Sequence, residues 1–270
     1  MTGLPRIALI GLPSDSNSSF ERGPAQAPAA IRAALWSDRG NLACQDGFEI
    51  GVDFALEDHG DLALTETAAD DAVIAAAIEA SIRSGAVPLA LGGDHAMSHA
   101  IVRGVHAVHG PLTILHFDAH PDLYADFAGN PRSHASPFAR IMEAGLAKRL
   151  VQVGIRTLNR HCRDQAERFG VEIVAMADFV PALVPVLEGP LYISIDLDGI
   201  DPAEAPGVSH PEPGGLTLRE VLAVLRAQSA AIVGADIVEY NPRFDSNERT
   251  AILAAKLVRE LAALMVRNAA

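Results

Sequence analysis

Four stretches of this 270-residue sequence carry side chains that bind cations and move protons, and each follows or closes an apolar run. Gly92-Gly93-Asp94-His95 comes after Val87–Leu91. Asp118-Ala119-His120-Pro121-Asp122 comes after Leu112–Phe117. Asp196-Leu197-Asp198-Gly199-Ile200-Asp201-Pro202 comes after Leu191–Ile195. Glu239 closes Ala231–Val238 and precedes Tyr240-Asn241-Pro242. Side chains alternate along extended chain, so Asp118, His120 and Asp122 are expected on one side, as are Asp196 and Asp198. Two carboxylates so close at a buried strand end repel each other unless a cation lies between them. Gly92 and Gly93 permit a tight turn that lifts His95 above the sheet edge, although a lone His at a helix start is usually a capping or packing residue. Glu239 needs a guanidinium, an ammonium or a metal as its partner.

Together His95, Asp118, His120, Asp122, Asp196 and Asp198 make a ligand set of four carboxylates and two imidazoles, with no thiolate. An oxygen-rich mixture suits hard or borderline divalent ions such as Mn²⁺, and does not suit structural zinc of the cysteine kind. Six ligands are too many for one catalytic metal with an open position. They suit two metals that share carboxylates, a design in which a water between the cations ionises near neutral pH.

The elements that must position these residues can be read from periodicity. Short Val/Ile/Leu runs predict strands at Ile7–Leu12, Val87–Leu91, Leu112–Phe117, Leu150–Val153, Val171–Val174, Leu191–Ile195 and Ala231–Val238. Between them, helical patterns cover Ala27–Trp36, Thr67–Ser84, His95–His106, Ser136–Ala144, Thr217–Arg226 and Ser246 to about Val266. Thr217 and Glu220 form a capping-box pair, with Leu216 placed to staple onto Val221. Ser37 to Asp61 reads as loop. Repeated strand–helix alternation predicts an α/β fold with a mostly parallel sheet covered on both faces, and ligands bind at the carboxyl edge of such sheets. Residues 1–270 contain no linker or internal repeat, so a single domain is expected.

Composition narrows the function classes. Hydrophobic residues make up 49% of the chain, enough for a full core, and 34 acidic against 21 basic residues give a formal charge of −13. Such a chain repels phosphate backbones, so no nucleic acid is expected as a partner. No apolar run is long enough for a membrane span. Cys44 and Cys162 do not make a disulfide framework, so a reduced, cytoplasmic setting is the expectation.

The four clusters, in order, match the motifs GGDH, DAHxD, SxDxDxxDP and a strand-end acid before Asn-Pro, and so resemble the ureohydrolase (arginase/agmatinase) family over nearly the whole chain. Gly129–Glu143, Val153–Arg156, Ala205–His210 and Ala255–Leu261 look most like the plant-type arginase branch and its bacterial relatives. The resemblance implies a three-layer α/β/α arginase-like fold, two Mn²⁺ per chain and hydrolysis of a small cationic guanidino substrate to urea and an amine. By motif position His95, Asp118, Asp122 and Asp196 would hold one ion. Asp118, His120, Asp196 and Asp198 would hold the other, with Asp118 and Asp196 bridging. Catalytic roles fall on His134, Glu239 and Asp122: His134 matches the family's proton-donating loop histidine, and Glu239 the acid that grips the guanidinium. Substrate contacts are expected from Glu239, Tyr124, Asn130, Ser133 and His210. A trimer or hexamer is implied by the same resemblance. Ala96 departs from the family's usual Ser after the ligand His.

Arginine and agmatine both fit this reading, and formiminoglutamase or guanidinobutyrate hydrolase is the alternative. A zinc deacetylase on a similar sheet would use an adjacent His-His pair, which is missing here. A non-catalytic scaffold would have lost ligands, and all six are present.

Overall fold

Each apolar run becomes a strand of one sheet in the structure, a computed structural model describing residues 3–269. In chain order the main elements are β1 (Arg6–Gly11), α1 (Ala27–Leu35), β2 (Ala55–Asp61), α2 (Asp70–Arg83), β3 (Ala86–Leu91), α3 (Met97–His109), β4 (Leu112–Phe117) and α4 (Pro137–Glu143). They continue with β5 (Ala147–Ile155), α5 (Arg160–Phe169), β6 (Glu172–Ala175), β7 (Leu191–Asp196), α6 (Leu218–Ala227), β8 (Ile232–Val238) and α7 (Arg249–Ala269). The eight strands run in the order β2-β1-β3-β8-β7-β4-β5-β6, and every paired strand is parallel.

Alternation along the strands builds two cores. On β1, Ile7 and Leu9 face the side covered by α1, α6 and α7, while Ala8 and Ile10 face α2, α3, α4 and α5. Likewise Leu115 and Phe117 of β4 serve the first core and Leu112 and Ile114 the second. This is the three-layer α/β/α arrangement the alternation predicts.

The capping box of α6 forms as expected: Glu220 N–H donates to Thr217 Oγ1 at 3.2 Å, and Thr217 N–H to Glu220 Oε2 at 2.8 Å. Such a cap contributes about 1 kcal/mol.

Two elements lay outside the apolar patterns. β2 falls within the stretch read as loop. It is a polar edge strand, Ala-Leu-Glu-Asp-His-Gly-Asp, with no fully buried residue, so no hydrophobic run marks it. α5 buries only Cys162, Gln165 and Ala166. Its signals were its ends: Asn159 accepts from Cys162 N–H at 2.9 Å, and Gly170 closes it in the left-handed conformation. Phe20 and Trp36, which as large apolar residues belong in a core by type, are 68% and 45% exposed.

The central strands β3, β8, β7 and β4 are neighbours, and they are the four that end in the polar clusters. The chain's route brings the clusters to one rim, at the point where the strand order reverses.

Candidate metal centre and active site

Turns, rather than strand alternation, make the ligands converge. β4 stops at Phe117 and β7 at Asp196, so Asp118–Asp122 and Asp198 lie beyond the ladders. Asp122 has φ +50°, which folds its carboxylate back over the rim. A short 3-10 turn over Leu197–Gly199 carries Asp198, whose N–H donates to Asp196 Oδ1 at 2.8 Å. Gly93 is required by contact: a Cβ there would lie 1.7 Å from the Ser14 carbonyl oxygen.

Three clusters of potential ligands result among the described residues, and in one of them, His95, His116 and Asp118, the His116 ring is already hydrogen-bonded to Asp118. In the other two, His95, Asp118, Asp122 and Asp196 (the first group) place ligand atoms around one point, and Asp118, His120 and Asp198 around another. Asp118 is common to both. Asp196 joins only the first group among the described residues, because its Oδ1 serves the Asp198 N–H.

The first group fits a cation on its own geometry. His95 is fully buried, and its Nδ1 has no hydrogen-bond partner. Around that atom lie Asp122 Oδ2 at 3.0 Å, Asp196 Oδ2 at 3.1 Å and Asp118 Oδ2 at 3.3 Å. Burial alone would disfavour an imidazolium, but the three carboxylates outweigh it and hold the ring's pKa well above its usual value. A divalent ion replaces such a proton. Burial, then Asp198 and Asp118, push Asp196 well up. Burial and Asp118 raise Asp122 to about 7. The acids crowd one another in the way that shared cations relieve.

A buried polar layer beneath the rim sets the tautomers. His95 Nε2–H meets Ser194 Oγ at 3.0 Å, and Ser194 donates to Asp236 Oδ1 at 2.6 Å. Tyr192 and Ser98 donate to Asp236 Oδ2 at 2.5 and 2.7 Å. With Nε2 protonated, Nδ1 presents its lone pair to the ligand site. A parallel chain runs from Gln152, whose Nε2–H₂ donates to His116 Nδ1 at 3.0 Å, to His116 Nε2–H and Asp118 Oδ2 at 2.8 Å. Burial lowers His116 to about 4, consistent with a neutral ring. Sequence reasoning passed over His116, Gln152, Ser194 and Asp236. Their signal was available: polar residues inside apolar strands need buried partners.

His134 and Glu239 are brought together. His134 Nδ1–H donates to Glu239 Oε1 at 2.9 Å, and the same oxygen accepts the His95 N–H at 2.8 Å. Burial disfavours the His134 imidazolium, but Glu239 outweighs it and pushes the ring up to about 9. Burial raises Glu239 and His134 outweighs it, so the carboxyl stays below its usual range. His134 Nε2 lies 2.8 Å from Ser19 Oγ. Ser19 was not anticipated, nor was Asn17, whose carbonyl accepts from His134 N–H at 3.2 Å.

A cavity of about 420 Å³ opens above the ligands. Tyr124, His134 and His210 line it, with Ser19, Phe127, Thr157, Asn159 and Glu212. Asn130 and Ser133 do not. Asn130 Nδ2 donates to Asn17 Oδ1 at 3.2 Å, and the Ser133 hydroxyl accepts from Ala135 N–H at 3.3 Å, so both serve the loop's own shape. Arg132 pairs with Asp71 at 2.6 Å.

The family model described as Arginase family matches residues 5–264. The chain belongs to the arginase family. Arginase-family sequences include "Arginase 1, mitochondrial" of Arabidopsis thaliana, 48% identical over 95% of this chain and 80% of that protein. "Arginase, mitochondrial" of Medicago truncatula is 46% identical over 96% and 81%. The solved arginase from Medicago truncatula superposes with a TM-score of 0.93 at 43% identity, covering 97% of this chain and 87% of that one. The protein is accordingly an arginase-family ureohydrolase. The cytoplasmic expectation is overturned, because both plant relatives are named mitochondrial. Unpaired thiols report a reducing environment and carry no address, so Cys44 and Cys162 could not distinguish compartments. No described helix is long and apolar enough to cross a membrane.

Proposed function

We propose that this chain hydrolyses the guanidino group of arginine to urea and ornithine, using two manganese ions. The observation that carries the reading is Asp118, which is common to two groups of potential ligands whose Asp122, His120, Asp196 and Asp198 line the cavity. Arginine is favoured over agmatine and guanidino acids by the 48% and 46% identity with proteins named arginase.

His95, Asp118, Asp122 and Asp196 would hold one ion, and Asp118, His120 and Asp198 the other. When bound, the two cations supply Lewis-acid activation of water at neutral pH. The residues do the rest. Glu239 Oε2 makes no hydrogen bond among the described residues and takes a guanidinium N–H, which orients the planar group. Asp122 receives the proton that the attacking water gives up. His134, charged at neutral pH beside Glu239, delivers its Nε2 proton to the departing nitrogen as the C–N bond breaks. Tyr124 and His210 on the cavity wall bound the substrate's chain. The same family resemblance supports one catalytic domain and assembly as a homotrimer or hexamer, which sedimentation would measure.

The test is a urea-release screen of the manganese-loaded protein with arginine, agmatine, guanidinobutyrate and guanidinopropionate, plus formiminoglutamate assayed for formamide. Arginine is expected to turn over fastest. Activity confined to formiminoglutamate overturns the reading.

A further inference from the structure

Apart from histidines, the charged side chains of the cavity wall are all acidic. Among the described residues no Lys or Arg lines it, and four acids do. Asp122, Asp196 and Asp198 belong to the ligand groups. Glu212 does not. It is half-buried, and among the described residues its carboxylate has neither ion-pair nor hydrogen-bond partner, although its carbonyl has both lone pairs engaged.

We propose that Glu212 is the counter-charge for an ammonium at the far end of the substrate, so that the cavity selects guanidino compounds bearing an ammonium over guanidino acids that bear only a carboxylate. The inference rests on the guanidino-hydrolase reading above and names the substrate class more closely.

Position supports it. Arg156 donates to the Glu212 carbonyl from Nε at 3.0 Å and from Nη2 at 2.6 Å. The same Nη2 donates to the Asp198 carbonyl at 2.7 Å, and Nη1 to Gly199 at 3.2 Å. One guanidinium therefore ties the main chain at Glu212 to the main chain of a metal ligand. The distance from the reacting end to the far end is fixed by a planar fork rather than by a free loop.

Charge supports it too. A carboxylate at the far end of a substrate would meet Glu212 with like charge, and no Lys or Arg lines the cavity among the described residues to offset it. Nearby, Thr157 Oγ1 donates to the Ala119 carbonyl and one Asn159 Nδ2–H to the Tyr124 hydroxyl.

Product binding isolates the far end. L-Ornithine and 5-aminovalerate share the δ-amine and the carboxylate, and only ornithine has the α-ammonium. Calorimetry on the manganese-loaded protein and on Glu212→Gln would measure both ligands, with urea release from arginine assayed in parallel. Losing one charge-assisted contact is expected to weaken ornithine about tenfold in the variant and leave 5-aminovalerate within about twofold. Glu212→Asp, which keeps the charge, is expected to retain most of the preference. Equal losses for both ligands, no loss for either, or no ornithine binding by the unaltered protein would overturn the role of Glu212. Absence of urea release with ornithine binding intact would instead overturn the reaction.

Discussion

Glu239 Oε1 accepts hydrogen bonds from His134 Nδ1–H at 2.9 Å and from the main-chain N–H of His95 at 2.8 Å. One carboxylate oxygen thus joins His134 to the turn that carries His95, a candidate metal ligand. Glu239 sits at φ +62°, beyond the end of β8, and its N–H is anchored on the Gly93 carbonyl at 2.9 Å. The two motifs are locked together through both main chain and side chain.

That pairing sets a pH dependence in the metal-free protein. The folded His134 pKa is raised to about 9 from 6.5. The pair's stabilisation is therefore fully present below 6.5 and is lost as pH rises through about 9. In Glu239→Gln the His134 titration, followed by NMR, is expected to fall below about 8, since the counter-charge is gone and burial remains. A midpoint still near 9 would contradict the assignment.

Asp118 belongs to both ligand groups, whereas Asp122 belongs to one. Metal analysis after dialysis is expected to give two ions per chain in the unaltered protein, fewer than one in Asp118→Asn and about one in Asp122→Asn. Equal retention in the two variants would remove the shared role of Asp118.

Asp236 accepts from three buried hydroxyls, Tyr192, Ser194 and Ser98. Asp236→Ala leaves all three without an acceptor, so chemical denaturation should show a loss of about 3 kcal/mol. His95 also loses the chain that fixes its tautomer, and metal affinity is expected to drop by about 10- to 100-fold. Unchanged affinity would show that Ser194 alone suffices.

Gly199 tests positioning by backbone. A Cβ there would lie 2.8 Å from Asp118 N and 2.9 Å from its Cα. Main-chain atoms cannot swing aside, so Gly199→Ala must displace the shared ligand. Chelator competition should show at least about tenfold weaker metal binding. Wild-type affinity would mean that the rim is more compliant than its packing implies.

The sequence by itself determined seven of the eight strands and singled out the candidate ligands. Buried parallel strands such as β4 and β7 need continuous apolar runs, and helices such as α6 announce their ends through Thr217 and Glu220. The polar residues that interrupt this pattern at the strand ends, His95, Asp118, Asp122 and Asp196, therefore stood out. β2 and α5 did not, because an edge strand and a largely solvated helix bury too little to leave a pattern.

Tertiary structure alone decided the contacts between distant segments. Ser19 beside His134, Gln152 beside His116 and Arg156 beneath Glu212 are 115, 36 and 56 residues apart. Local propensity carries no information about pairs so distant, which the strand order and the turns bring together. It was also the turns, through the positive φ of Asp122 and the short helix at Asp198, that aimed carboxylates which strand alternation would have aimed otherwise.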